Sequence, residues 1–294
     1  MEPQALEKAG ALIEALGYIQ RFNEKIVVVK LGGSFMDNEA EFRDVLTDVV
    51  FMHAVGMRPI VVHGGGKAIT QAMTNAGLQA QFVMGRRYTD ERTLAIAEHV
   101  LINDINAYIS RTIAQLGGKA TPLHSLGSVA LFAEKLYLQD ETGGRIDIGQ
   151  VGRITSVNAA LLQALAKADF IPVIAPIARD AAGSKLNVNA DTAAGHVAAA
   201  CGAEKLVLVS DTHGIRERKD DPHSLLRSVS KAQIQRLVAG KQIGEGMLPK
   251  VEACIAALDG GVQKTHIIDG RFPHSLLLEI YSDQGVGTEI VLDN

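Results

Sequence analysis

The chain has no tryptophan, and only 4% of its 294 residues are aromatic. Single-stranded nucleic acid is gripped by stacking on exposed rings, so that class of binder is excluded. Neither sign of charge dominates: 29 Lys and Arg face 33 Asp and Glu, for a formal net charge of −4. With a pI near 6.1, the chain lacks the basic footprint that nucleic acid or an anionic membrane requires. Only two cysteines occur, Cys201 and Cys254, far apart in apolar, helical-looking contexts. They have no metal-ligand spacing and read as buried, reduced thiols. No apolar run reaches the length of a membrane span. The opening Met1-Glu2-Pro3-Gln4 lacks the basic and apolar regions of a secretion signal. The expectation is a cytoplasmic protein without membrane or nucleic-acid partners. Internal repeats, low-complexity tracts and linkers are also lacking.

Hydrophobic residues make up 47% of the chain, enough for a large buried core in one α/β unit or two lobes. Residues 4–22 read as an amphipathic helix with Leu12, Ile13, Leu16 and Ile19 on one face. Strands and helices then alternate: strand Ile26–Leu31, helix 39–54, strand 59–63, helix 67–75, and a long helix from Thr89-Asp90 to about Leu116. Residues 120–153 read as hairpins at the edge of the first lobe. The alternation resumes with helix 155–168, strand 170–176, helix 189–201 and strand Lys205–Ser210. Helices near 231–239 and 249–258 and strand 265–269 follow. Strand–helix–strand units with short connections predict an α/β fold: a three-layer αβα sandwich with a mainly parallel central sheet, continuous through both lobes.

Two glycine-rich turns follow apolar strands: Lys30-Leu31-Gly32-Gly33-Ser34 and His63-Gly64-Gly65-Gly66-Lys67. Neither is a Walker A loop or a G-x-G-x-x-G fingerprint. Consecutive glycines let backbone approach a ligand, and a helix starting after each turn would favour an anion there. Lys30, at the carboxyl end of a buried-type strand, is set to meet a phosphate. Asn187-Val188-Asn189-Ala190-Asp191 enters a helix, where capping and ligand binding are both open readings. Lys250 stands in the first turn of a helix that begins at Pro249. A cation there opposes the helix dipole, as a residue kept for a ligand's negative charge would.

Taken together, Lys30-Leu31-Gly32-Gly33, His63-Gly64-Gly65-Gly66, Gly85-Arg86-Arg87-Tyr88-Thr89-Asp90, Asn187-Val188-Asn189-Ala190-Asp191, Ser210-Asp211 and Gly246-Met247-Leu248-Pro249-Lys250 resemble the amino-acid kinase family. Six motifs in order, from Tyr18 to Val291, carry the resemblance. It implies phosphoryl transfer from ATP, with Mg2+ carried on the ATP phosphates and no resident metal, to the side-chain carboxylate of N-acetyl-L-glutamate in arginine biosynthesis. A carboxylate with pKa near 4.3 is already ionised at pH 7, so such a nucleophile needs no general base. Anion must meet anion, which calls for positioned cations and N–H donors.

By the resemblance, Lys30 and Lys250 neutralise the transferring phosphoryl group and Asp191 orients both. Gly32 and Gly33 present N–H groups to phosphates, and Gly65 and Gly66 to the substrate side chain. Arg87 takes the α-carboxylate as a planar fork, with Asn187 completing recognition. The nucleotide lies by Ser210, Asp211, Gly214 and Met247. His266, Glu279 and Gly287 match a segment tied to an L-arginine effector; a core histidine is an equal reading of His266. The family's division is an N-terminal oligomerisation helix (1–24) and a kinase domain (25–294), with an acyl-acceptor lobe (25–178) and an ATP-binding lobe (179–294). It also implies a homohexamer interlaced by that helix, and a nitrogen-regulatory protein as a further partner. Residues 123–136 depart from the family's pattern and, by the resemblance, wall the acceptor site. An aminoadipate-type acceptor, or a non-catalytic arginine or nucleotide sensor, are the alternatives.

Overall fold

The computed structural model describes residues 3–140, 142–218, 221, 223–240, 242–244, 246–282 and 285–293, with side chains from residue 9 onward. Helix α1 (Pro3–Phe22) leads into β1 (Ile26–Leu31), a 3-10 turn (Ser34–Asp37), α2 (Glu39–Ala54), β2 (Arg58–His63) and α3 (Gly66–Asn75). A short ribbon of β3 (Phe82–Val83) and β4 (Arg86–Arg87) precedes α4 (Glu91–His99), a π-helical segment (Val100–Asn106) and α5 (Ala107–Gln115). Then come β5 (Ala120–Leu123), β6 (Leu131–Gln139), β7 (Arg145–Val157), α6 (Ala159–Lys167), β8 (Ile171–Ile174), β9 (Ile177–Arg179) and β10 (Lys185–Asn187). The remainder is α7 (Ala190–Cys201), β11 (Lys205–Ser210), β12 (Ser228–Ser230), α8 (Lys231–Ala239), α9 (Leu248–Asp259), β13 (Lys264–Asp269), α10 (Ser275–Tyr281) and β14 (Thr288–Val291).

One sheet crosses the molecule in the order β12-β14-β13-β11-β1-β2-β8-β5. The six strands from β13 to β5 run parallel, and β14 is antiparallel to β13. A parallel sheet buried on both faces calls for strands that are apolar throughout, and β1 (IVVVKL) and β11 (KLVLVS) fit that demand. Alternation then sorts the side chains. Val28, Ile60, Val62 and Leu208 pack with Leu162 of α6, Val197 of α7 and Val251 of α9. Val27, Val29, Leu31 and Val61 pack with Val45 of α2, Ile109 of α5 and Leu276 of α10. The result is the three-layer α/β sandwich.

Parts of the chain differ from the sequence-based expectation. The hairpin expected within residues 120–153 is present as β6 paired antiparallel with β7, but β5 joins the edge of the main sheet in parallel, and the hairpin closes with β9 and β10 into a separate four-stranded unit. Strand β7 runs on through the β-branched Thr155 and Val157, so the helix expected at Thr155 starts at Ala159. Asn158 caps it, its Oδ1 accepting from the Leu161 N–H at 3.2 Å. The long helix after Asp90 is interrupted by the π-helical segment, and α10 and β14 are additional elements. Cys201 and Cys254 are buried, and burial pushes their thiols up to about 11 and about 12.

Candidate active site

Alternation along β1 sends Lys30 to the same face as Val28, toward the first turn of α7, where Asp191 sits. Lys30 Nζ lies 2.9 Å from Asp191 Oδ1. Lys250 Nζ approaches Asp191 Oδ2 from α9 at 3.8 Å and donates to the Gly246 carbonyl at 3.3 Å. Burial by itself would raise the Asp191 carboxyl, but the Lys30 and Lys250 ammoniums overcome it and hold the group below its ordinary range. Two cations around one carboxylate leave a net positive charge, and Lys30 is only 6% exposed. Such an arrangement is best satisfied by a further anion.

Gly32 is needed beside this cluster for space: a Cβ there would stand 2.2 Å from Lys30 Nζ. Its N–H does not face a ligand, because it donates to the Val209 carbonyl at 3.1 Å. This corrects the expectation of a phosphate-facing Gly32 N–H. Gly33 borders the cleft on the same side.

A cleft of about 250 Å³ opens beside the cluster, bordered by Lys30, Gly65, Gly66, Arg87, Asn187 and Asp191. Gly65 is the residue before α3 and Gly66 its first residue, so their N–H groups belong to the free helix start. Gly65 has no room for a side chain, since a Cβ would meet Ile105 Cδ1 at 2.6 Å and Leu101 Cδ2 at 2.8 Å. Arg87 lies over the Phe82 ring, 4.9 Å from its centroid. Its Nη2 donates to the Gly66 carbonyl and the Thr70 hydroxyl, both at 2.8 Å. Both Nη2 hydrogens are thereby committed, and a bidentate carboxylate would have to displace one of these acceptors. Asn187 Nδ2 donates to the Thr89 hydroxyl at 3.3 Å. The capping reading holds for Asn189, whose Oδ1 accepts from the Thr192 N–H at 2.9 Å, whereas Asp191 serves the lysines.

On the other side of Lys250 lies a second cleft of about 470 Å³, bordered by Asp211, Gly214, Met247, Lys250 and Arg271. Asp211 Oδ2 accepts from the Ser34 N–H at 3.1 Å. Burial opposes ionisation of Asp211, but hydrogen bonds from Ser34 outweigh it and hold the carboxyl down. Ser210 is buried, its hydroxyl 3.4 Å from Asp211 Oδ1. The Asp191–Lys250 contact is where the two clefts adjoin.

His266, Glu279 and Gly287 converge elsewhere, at a cavity of about 410 Å³ shared with Tyr18 and Arg21 of α1. The His266 Nδ1–Glu279 Oε1 distance is 2.6 Å, and Glu279 Oε2 accepts from the Val286 and Gly287 N–H groups at 2.7 and 3.0 Å. Burial works against ionisation of Glu279, yet these bonds hold its carboxyl down at about 2. Both oxygens are engaged, so Glu279 is not an idle partner for a guanidinium. His266 is a buried histidine at this cavity, its pKa lowered by burial.

None of residues 123–136 borders the cleft at Lys30, Gly65 and Arg87, against the expectation that they wall the acceptor site. Ser125 instead donates from its hydroxyl to Glu98 at 2.6 Å, and Lys185 pairs with the other Glu98 oxygen at 2.7 Å. That divergent loop is fastened to α4 through Glu98 and to β9 through Arg179, whose Nε donates to the Ser125 carbonyl at 3.0 Å. Sequence reasoning also missed Phe82, Thr70 and Asn106. Asn106 Nδ2 lies 3.1 Å from His63 Nε2, under the second glycine turn. His63 was visible as the residue before the glycines, whereas Asn106 looked like any polar position on a long helix.

The fold and the lysine–aspartate cluster define the class: the chain belongs to the amino acid kinase family, whose model matches residues 25–269. Two relatives are particular about the member. Acetylglutamate kinase of Moorella thermoacetica is 45% identical over 289 residues, covering 97% of this chain and 98% of that protein. Acetylglutamate kinase of Methanothrix thermoacetophila is 44% identical over 285 residues, covering 97% and 99%. Among solved structures, N-acetylglutamate synthase of Neisseria gonorrhoeae superposes with a TM-score of 0.86 at 23% identity, over 97% of this chain and 64% of that longer one. Carbamate kinase of Giardia lamblia bound to AMP-PNP gives 0.64 at 13% identity, over 92% and 99%. These two likenesses are of fold.

Proposed function

We propose that this chain phosphorylates the side-chain carboxylate of N-acetyl-L-glutamate with ATP, giving N-acetyl-L-glutamyl 5-phosphate and ADP in arginine biosynthesis. The observation that carries the chemistry is the Lys30–Asp191–Lys250 cluster between two clefts. A carboxylate oxygen attacks the γ-phosphorus, the new O–P bond forms, and the bond to the bridging oxygen breaks with its electron pair leaving on ADP. No proton moves, because the nucleophile is ionised at neutral pH. Lys30 and Lys250 offset the negative charge gathered where the two anions meet, and Asp191 keeps both ammoniums in place. Gly65 and Gly66 hold the acceptor carboxylate, Arg87 and Asn187 its far end, and Gly33 the transferring phosphate. Ser210, Asp211, Gly214 and Met247 line the nucleotide side. Among the described residues no three His, Cys, Asp or Glu side chains cluster as a metal cage; in this reading Mg2+ comes on the ATP phosphates.

The test is ADP release with N-acetylglutamate, glutamate and N-acetylaminoadipate as acceptors. N-acetylglutamate is expected to be turned over best, and Lys30→Ala to lower kcat about 10²–10³-fold, the scale of losing one transition-state donor. Equal rates for Lys30→Ala and the parent chain would sink the assignment.

The reading extends to regulation. The His266–Glu279–Gly287 cavity is the proposed site for L-arginine, and α1 is the element that joins dimers into a homohexamer. Its Leu12, Ile13 and Leu16 are 68%, 72% and 45% exposed, an apolar stripe suited to a second copy of α1. A nitrogen-regulatory protein is the further partner proposed. Among the described residues no helix is long and apolar enough to cross a membrane, and a cytoplasmic location is part of this proposal.

A further inference from the structure

Beneath the second glycine turn lies a chain of hydrogen bonds whose direction follows from valence. Asn106, the last residue of the π-helical segment, has its Nδ2 3.0 Å from the Val173 carbonyl and 3.1 Å from His63 Nε2. A carbonyl only accepts, so the amide nitrogen is the atom facing it, and its second hydrogen goes to His63. His63 Nε2 is therefore the acceptor, the ring proton sits on Nδ1, and Nδ1 donates to the Gly64 carbonyl at 3.0 Å. His63 is wholly buried, which keeps the ring neutral, at about 4. In a trans peptide the C=O and the next N–H point in opposite directions. Tying the Gly64 carbonyl to His63 thus turns the Gly65 N–H away from His63. The same π-helical segment supplies Leu101 and Ile105, which close over Gly65. It also leaves Asn106 Oδ1 buried without a partner among the described residues, a cost that a residue used only to fill the core would not carry.

We propose that Asn106 and His63 are positioning residues for phosphoryl transfer: the π-helical segment selects one His63 tautomer, and that tautomer aims the Gly65 N–H at the acceptor carboxylate. This inference rests on the reaction proposed above, in which Gly65 and Gly66 hold that carboxylate.

The experiment measures KM for N-acetylglutamate and for ATP separately in four variants. Asn106→Leu and His63→Leu are expected to raise the acetylglutamate KM about tenfold, the scale of one lost hydrogen bond to a charged group, with the ATP KM unchanged. His63→Asn, which keeps a donor at the δ position, recovers most of the parent KM, and His63→Gln, whose amide sits one bond further out, does not. A purely structural role lowers kcat through fewer active molecules and leaves both KM values alone, and that result overturns the proposal. Should the leucine variants fail to fold, the asparagine–glutamine pair decides, and equal acetylglutamate KM values for the two overturn it. A parent chain that turns over N-acetylglutamate while all four variants match it refutes the positioning role and leaves the reaction standing. A parent chain with no turnover refutes the reaction, and the positioning role falls with it.

Discussion

Lys30 and Leu31 end β1 as Val62 and His63 end β2, in register across the ladder. One-residue alternation therefore sends Lys30 to the α7 face and His63, with Leu31, to the α5 face. The strand pattern made Lys30 legible as a ligand-facing cation. The same pattern could not say that His63 works from beneath its turn, because its partner Asn106 is 43 residues away in sequence. Gly32 shows the other limit: a glycine in a turn was readable, but whether it frees an N–H or makes room depends on where Lys30 folds back. Burial depresses the His63 imidazole from 6.5 to about 4. A histidine with a lowered folded-state pKa contributes stability that is present above 6.5 and lost as pH falls through 4. His63→Asn lacks this titration, so the parent chain is expected to lose about 3 kcal/mol relative to that variant between pH 7 and pH 4. Urea midpoints across that range check it; parallel curves for the two proteins would contradict the buried neutral ring.

At the scale of elements, the long helix after Asp90 was legible in extent but not in winding, since a π-helical turn keeps much the same apolar periodicity while rotating everything beyond it. Within that segment Leu101, Ile105 and Asn106 come to the glycine turn together. Helix α10 was not legible because only seven residues carry it, and what fixes it is a pair distant in sequence. Asp48 of α2 is fully buried and meets His274 Nδ1 at 2.6 Å, just before α10 begins. Burial drives the Asp48 carboxyl up to about 6, the His274 bond only partly countering it, while that bond raises His274 above its usual value and Asp44 adds to the rise. A carboxyl raised on folding binds its proton more tightly in the native state, so stability falls as pH climbs from about 4 through 6. His274, also raised, adds loss in the same direction as pH rises through its own folded pKa. Asp48→Asn removes the carboxyl's part, and the parent chain is expected to lose about 2 kcal/mol relative to it between pH 4 and pH 7, read from denaturant midpoints. An unchanged gap would show that Asp48 does not titrate in that window.

For the whole molecule, the parallel sandwich was legible because buried Val and Ile runs alternate with helical stretches. The strand order, the closed four-stranded unit and the attachment of residues 123–136 were not, because they rest on pairings such as β7 with β10 and Ser125 with Glu98 that no local pattern encodes. Helix α1 belongs to this scale too. Phe22 at its end is buried with the α2 and α10 core, while Leu12, Ile13 and Leu16 stand in solvent. Burying such a stripe against its counterpart in another copy is favourable by roughly 25 cal/mol per Å² of apolar surface. Light scattering on a chain shortened by residues 1–20 is expected to give dimers where the full chain gives hexamers, and an unchanged mass would refute the role of α1.

Strand β1 lies between β2, which carries the turn proposed to hold the acceptor, and β11, which carries Ser210 toward the cleft proposed for the nucleotide. Neighbouring strands keep a spacing of about 4.8 Å, so these two turns are held roughly 10 Å apart by main-chain bonding. The central ladder thus acts as a ruler for the two reacting anions. Substrates can be enclosed only by what is not woven into it, such as the β3–β4 ribbon bearing Phe82 and Arg87, since moving β2 against β11 would tear the sheet at its middle.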